Sequence, residues 1–131
     1  MRISYKGIKK RIVEDFPEIR FEKSENRTSY MEDGVVYLKE EDYNPKTMVA
    51  LFNILHEVGH VLTSEPYMGR SEREWRATMW AIFVAKRYGV TIPDWRKENF
   101  QKDIYFWFEV EKQLLKTKPR ICKTALKLQW R

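Results

Sequence analysis

The chain has 131 residues, 43 % of them hydrophobic, and a formal net charge of +6, enough for one compact domain with a sizeable core and too short for two of ordinary size. A single cysteine, Cys122, excludes an internal disulfide, and no apolar run of about eighteen residues is present to span a membrane. With no signal-like apolar stretch after Met1-Arg2-Ile3-Ser4-Tyr5-Lys6, the expected compartment is a reducing cytoplasm.

Residues 3–14 place Ile8, Ile12 and Tyr5 on one helical face, and Pro17 ends that helix. From Ile19 to Lys39 the pattern changes to short β-like runs: Ile19-Arg20-Phe21, Thr28-Ser29-Tyr30-Met31, and Val35-Val36-Tyr37-Leu38 after the turn signal Asp33-Gly34. Two or three antiparallel strands are expected. Asn44-Pro45 suits a helix start, with Asn44 as N-cap and Pro45 in the first helical position, opening a helix that runs to about Leu62. After a loop at 65–70, Ser71 suits the cap of a second helix that runs to about Tyr88, where Gly89 terminates it. Its alanines, Ala77, Ala81 and Ala85, recur every four residues, and such a small face lets the preceding helix approach closely. Beyond Pro93, Phe100 to Leu115 forms a third long helix with Phe100, Ile104, Trp107, Phe108 and Leu115 inward. A last helix at 120–130 is expected to pack through Ile121, Leu126 and Leu128.

The helix opened by Asn44-Pro45 carries the chemistry. The only two histidines, His56 and His60, flank Glu57 in His56-Glu57-Val58-Gly59-His60, the H-E-x-x-H pattern of zinc peptidases. Four residues apart on a helix, the two imidazoles share one face and can grip one metal ion. Random placement of two histidines, with a glutamate in the second position, gives this pattern at roughly a few parts per thousand.

A catalytic zinc takes three protein ligands and keeps a fourth position open. No third histidine exists, so a carboxylate must complete the set, as in His₂Glu sites. Glu65, Glu72 and Glu74 are the downstream candidates. Glu65 sits at the turn that ends the histidine helix and points along it. Glu72 and Glu74 point about 200° apart, so one at most faces the histidines; Glu74 lies in line with Ala77, Thr78 and Ala81, the small face, and is the expected third ligand. Ser71-Glu72-Arg73-Glu74 also reads as a capping box, in which Glu74 reaches back to the Ser71 amide.

The chemistry these residues imply is hydrolysis of a peptide bond. Zinc, one per chain, activates water and polarises the scissile carbonyl, while Glu57, beside the metal and not bound to it, takes the proton and passes it to the leaving amine. Tyr67, Arg70, Arg73 and Tyr88 are candidate donors to the oxyanion. Gly59 leaves room beside the metal for substrate or for the second helix. The expected fold is α+β: one mostly helical domain over residues 1–131 with a small two- or three-stranded antiparallel sheet and a zincin-like active-site helix.

His56-Glu57-Val58-Gly59-His60, followed by Glu74-x-x-Ala77-x-x-Trp80-Ala81-Ile82, resembles the ImmA/IrrE family of metallopeptidases of bacteria, prophages and mobile elements, best over residues 44–93. The resemblance implies His56, His60 and Glu74 as zinc ligands, Glu57 as catalytic base, and a cytoplasmic enzyme that cleaves a helix-turn-helix repressor. Thr78 stands where members often carry Asn or Asp, within reach of Glu74, and Val84-Ala85-Lys86-Arg87-Tyr88-Gly89 replaces the family's usual Leu-Leu-x-Pro ending.

Two other readings compete with the peptidase. One is a non-catalytic regulator that keeps the fold and binds a repressor or a toxin–antitoxin partner, although pure binding needs no Glu57. The other rests on the basic segment from Lys112 to Arg131, which holds seven of the 25 Lys and Arg and no acidic residue. There Lys112, Lys116, Lys118, Arg120, Lys123, Lys127 and Arg131 would track nucleic-acid phosphates while Trp130 stacks on a base; the plainer reading is a solvated tail that aids solubility.

Overall fold

The computed structural model describes residues 4–66 and 68–117, with side chains through residue 113. The expected helix at 120–130, most of the basic segment, Tyr67 and the Leu115 side chain lie outside the described residues. Among those described, no helix is long and apolar enough to cross a membrane.

The fold is α+β and mostly helical, as the patterning requires. Helix α1 (Tyr5–Asp15) is capped by Ser4, whose hydroxyl accepts from the Gly7 amide, and it buries Ile8 and Ile12, leaving Tyr5 on the surface. Three strands follow: β1 (Arg20–Lys23), β2 (Tyr30–Glu32) and β3 (Val35–Leu38). Asp33 and Gly34 both have positive φ, 52° and 78°, the geometry of a two-residue hairpin turn, and β2 pairs antiparallel with β3.

The sheet is mixed, not antiparallel throughout. Its order is β1-β3-β2, and β1 runs parallel to β3. Six residues, 24–29, carry the chain past β3 to its far edge instead of folding it straight back on β1. Ser24 and Asn26 shape that crossing through the hydrogen bond from Ser24 Oγ to Asn26 Oδ1 (2.8 Å). The sheet turns Val36 and Leu38 inward.

Asn44 does not begin the histidine helix. It ends a short helix α2 (Glu40–Tyr43), its amide donating to the Glu40 carbonyl, and α3 (Met48–Thr63) starts at Thr47, whose hydroxyl accepts from the Ala50 amide at 3.1 Å. Pro45-Lys46 is the link between them. Helix α3 is the central rod, burying Leu51, Phe52, Ile54, Leu55 and Val58 against α1, the sheet and the next helix, α4 (Arg70–Ala85). A 3-10 turn at Lys86–Tyr88 extends α4 to Gly89, which closes it at φ 71°. Helix α5 (Asp94–Thr117) then folds back along α4, burying Phe100 and Ile104, with Trp107 and Phe108 half-buried.

Candidate metal centre

The α3–α4 contact sets the site. A Cβ on Gly59 would stand 2.8 Å from the Ala77 carbonyl oxygen and 3.1 Å from its Cα, closer than packed atoms tolerate, so the absent side chain is what lets the two backbones meet. Ala77 and Ala81 are fully buried in this interface. Of the two explanations for Gly59, the structure shows helix packing.

At that separation His56, Glu57 and His60 from α3 converge with Glu74 from α4. The two imidazole Nε2 atoms are 3.0 Å apart; Glu74 Oε2 lies 3.0 Å from His56 Nε2, and Oε1 lies 3.3 Å from His60 Nε2. The ligand atoms of His56, Glu57 and His60 also fall within 4.8 Å of one another, a group able to hold a metal ion. Two sets of three donors can therefore be drawn, and the one containing Glu74 is tighter. Ligands about 2.0–2.1 Å from a tetrahedral zinc stand about 3.3–3.4 Å from one another, close to the spacing of His56, His60 and Glu74.

The surroundings fix these groups. Thr78 Oγ1 is 3.3 Å from His56 Nδ1, so Thr78 contacts a histidine where proximity to Glu74 was expected. With an ion held at Nε2, the ring hydrogen would sit on Nδ1, where Thr78 can accept it. Phe100 stacks on the His56 ring at 4.9 Å. Burial lowers the pKa of His56. Burial also acts to lower His60, but the hydrogen bond and charge of Glu74, with the charge of Glu57, outweigh it and leave His60 raised. For Glu74, burial is overcome by hydrogen bonds from both imidazoles, which hold its carboxyl well below the usual range. Glu57 is pushed the other way, up to about 7, by burial reinforced by the charges of Glu74 and Asp42. Its carboxylate makes no hydrogen bond among the described residues.

Glu72 is buried and paired with Arg76 at 3.1 Å, and Glu65 lies in the loop after α3 on the wall of the larger cavity, its backbone carbonyl facing Arg73. The Ser71 capping box does not form. Gly69 is the N-cap of α4, and the Ser71 amide and hydroxyl both donate to Glu111 of α5, the amide at 2.9 Å. This frees Glu74 to face the histidines.

Two cavities flank the centre, and Glu57 and Glu74 line both. One, of about 730 Å³, is bounded by Tyr30, Met31, His60, Glu65, Arg70 and Arg73. The other, of about 280 Å³, is bounded by Ser29, Asp42, Asn53, His56, Arg96 and Phe100. Arg70 and Arg73 thus reach the site. Tyr88 does not: it is buried away from it, donating to Asp15 at 2.6 Å. Asn53, Arg96, Phe100 and the strand residues were not identifiable as site residues from the sequence, because they arrive from three separate elements, α3, α5 and β2. Only Asn53 carried a signal, standing three residues before His56 on its helix.

Comparison with protein-family models, with curated proteins and with solved structures finds no match to this chain.

Proposed function

We propose that the chain is a zinc-dependent endopeptidase of the ImmA/IrrE type, with His56, His60 and Glu74 as the metal ligands and Glu57 as the general base. The observation that carries this reading is the convergence of two imidazole nitrogens and the Glu74 carboxylate, with contacts of 3.0–3.3 Å between the three side chains, beside the Glu57 carboxylate, which makes no hydrogen bond among the described residues. A bound zinc supplies Lewis acidity, acidifying water and polarising a peptide carbonyl.

The chain's own residues account for the rest. Glu57 opens on both cavities, where its carboxylate can take a proton from water and give it back. Strand β2 is an edge strand, and Tyr30 and Met31 on it line the larger cavity. An extended peptide adding to that edge passes the metal centre with its backbone hydrogen-bonded. Arg73, close enough for its charge to act on His60, is the better placed donor for the oxyanion. The substrate we propose is a regulatory protein, a helix-turn-helix repressor, which follows from the family resemblance.

The test is cleavage of co-expressed helix-turn-helix repressors, read by intact mass, by wild type and by Glu57→Gln. We expect one repressor to be cut at one bond by wild type only, with zinc content equal in both proteins. Cleavage that survives Glu57→Gln would refute the assigned base. Zinc-replete protein that binds a repressor without cutting it would favour the non-catalytic regulator.

A further inference from the structure

The smaller cavity holds a chain of hydrogen-bonded polar side chains. Arg96 Nη2 donates to Asn53 Oδ1 at 2.9 Å, Asn53 Nδ2 donates to Asp42 Oδ1 at 3.2 Å, and Ser29 Oγ donates to Asp42 Oδ2 at 2.6 Å. Asp42 is 1 % exposed. With both its oxygens engaged, Asp42 fixes which end of the Asn53 amide meets Arg96. The guanidinium lies 4.1 Å over the Phe100 ring, whose stacking on His56 ties it to the metal centre. Arg96 is therefore held on one face and one edge while Nη1 makes no hydrogen bond among the described residues and Nε is buried without one.

Arg27, Lys39 and Arg96 all line this cavity, and none makes an ion pair among the described residues. Three carboxylates share the wall: Asp42, held by the neutral Ser29 and Asn53 with its charge acting on Arg96, and Glu57 and Glu74 at the metal centre. A guanidinium already immobilised loses little freedom on binding, and its fork matches a carboxylate.

We propose that this cavity is a specificity subsite in which Arg96 binds a carboxylate of the peptide, either an Asp or Glu side chain beside the scissile bond or a free C-terminus. The inference rests on the peptidase reading. About 280 Å³ admits one side chain, and because His56, Glu57 and Glu74 share its wall, the anchored residue sits next to the bond to be cut.

Calorimetry of the zinc-loaded protein with peptide hydroxamates tests this without turnover. Three compounds suffice: one with Glu and an amidated C-terminus, one with Gln and an amidated C-terminus, and one with Gln and a free C-terminus. A lost charge-assisted hydrogen bond weakens binding roughly ten- to hundredfold, so one carboxylate compound is expected to bind at least tenfold tighter than the neutral one. Which of the two gains identifies the source. Arg96→Gln is expected to abolish the preference for the carboxylate compound while leaving zinc content unchanged. Equal affinity of all three for wild type overturns the proposal. If none binds, the peptidase reading fails, and a separate readout decides the subsite: the buried Arg96 Nε–H resonance of metal-free protein, titrated with N-acetylglutamate amide or N-acetylglutamine amide. A shift with the glutamate compound alone supports the receptor, and no difference refutes it.

Discussion

Helices α3 and α4 contribute to the same centre by different means. Helix α3 is buried nearly all round, and its two imidazoles are set by one turn of one helix. Helix α4 is buried on one face only, with Met79 48 % and Phe83 66 % exposed on the other, and Glu74 reaches the histidines through contacts made elsewhere: the Gly59–Ala77 approach, Thr78 on His56, and Glu111 on the first turn. One half of the site is local geometry inside the core, while the other is tertiary geometry on a surface plank. The second half is where small changes ought to matter most.

The largest effect tests whether α4's half is needed at all. At a thousandfold excess over its dissociation constant a ligand stabilises the folded state by about 4 kcal/mol, so zinc at that excess is expected to raise the thermal midpoint of wild type strongly. Glu74→Ala is expected to lose most of this gain at the same zinc concentration, and Glu72→Ala to keep it. Thermal melts with and without zinc give the answer. Full retention by Glu74→Ala would mean that His56, Glu57 and His60 hold the ion themselves, and Glu57 would then be a ligand instead of a base.

Gly59→Ala probes the spacing between the two halves. The new methyl meets backbone at 2.8 Å, and backbone in a packed interface yields only by separating the helices. Overpacking of this kind costs typically about 1–3 kcal/mol, measurable by urea unfolding of the metal-free protein. The same separation moves Glu74 from the imidazoles, so zinc affinity is expected to fall as well. A destabilised variant with unchanged zinc affinity would show that Glu74 follows the histidines independently of the helix contact.

What was legible in the sequence divides along the same line. The pairing of His56 with His60, the facing of Glu74 with Ala77 and Ala81, the Asp33-Gly34 turn and the inward Ile8 and Ile12 are periodic or short-range, and each lies where its spacing directs. The failures are competitions with distant partners. Asn44 has the chemistry of an N-cap, but a four-residue helix upstream takes it as a C-cap. Antiparallel pairing was the simpler reading of β1, yet residues 24–29 carry the chain across to the other edge of β3. Tyr88 resembled a candidate donor until Asp15, 73 residues away in sequence, claimed its hydroxyl. Apart from Asn53, which stands one helical turn before His56, the polar residues added to the wall of the smaller cavity had no local signature, since Ser29, Asp42 and Arg96 reach it only after folding.

Glu111 is the sharpest case, and the smallest expected effect. Ser71-x-x-Glu74 is a sound capping box by local rules, but a carboxylate from α5, forty residues on, takes the amide and hydroxyl of Ser71. A Cβ on Gly69 would stand 3.0 Å from that carboxylate, so the glycine makes room for it. Negative charge at the N-terminus of α4 is favourable in itself. Glu111→Gln keeps the size, removes the charge and leaves one acceptor oxygen for two donors, a loss of about 1–2 kcal/mol. Because Ser71 and Glu74 lie within the first turns of one helix, loosening that end should also weaken zinc binding, by up to about tenfold if Glu111 orients the metal ligand. Both quantities come from one pair of melts, with and without zinc. Lost stability with full zinc affinity would confine Glu111 to holding the helix end, and Glu74 would then owe its position to Gly59 and Ala77 alone.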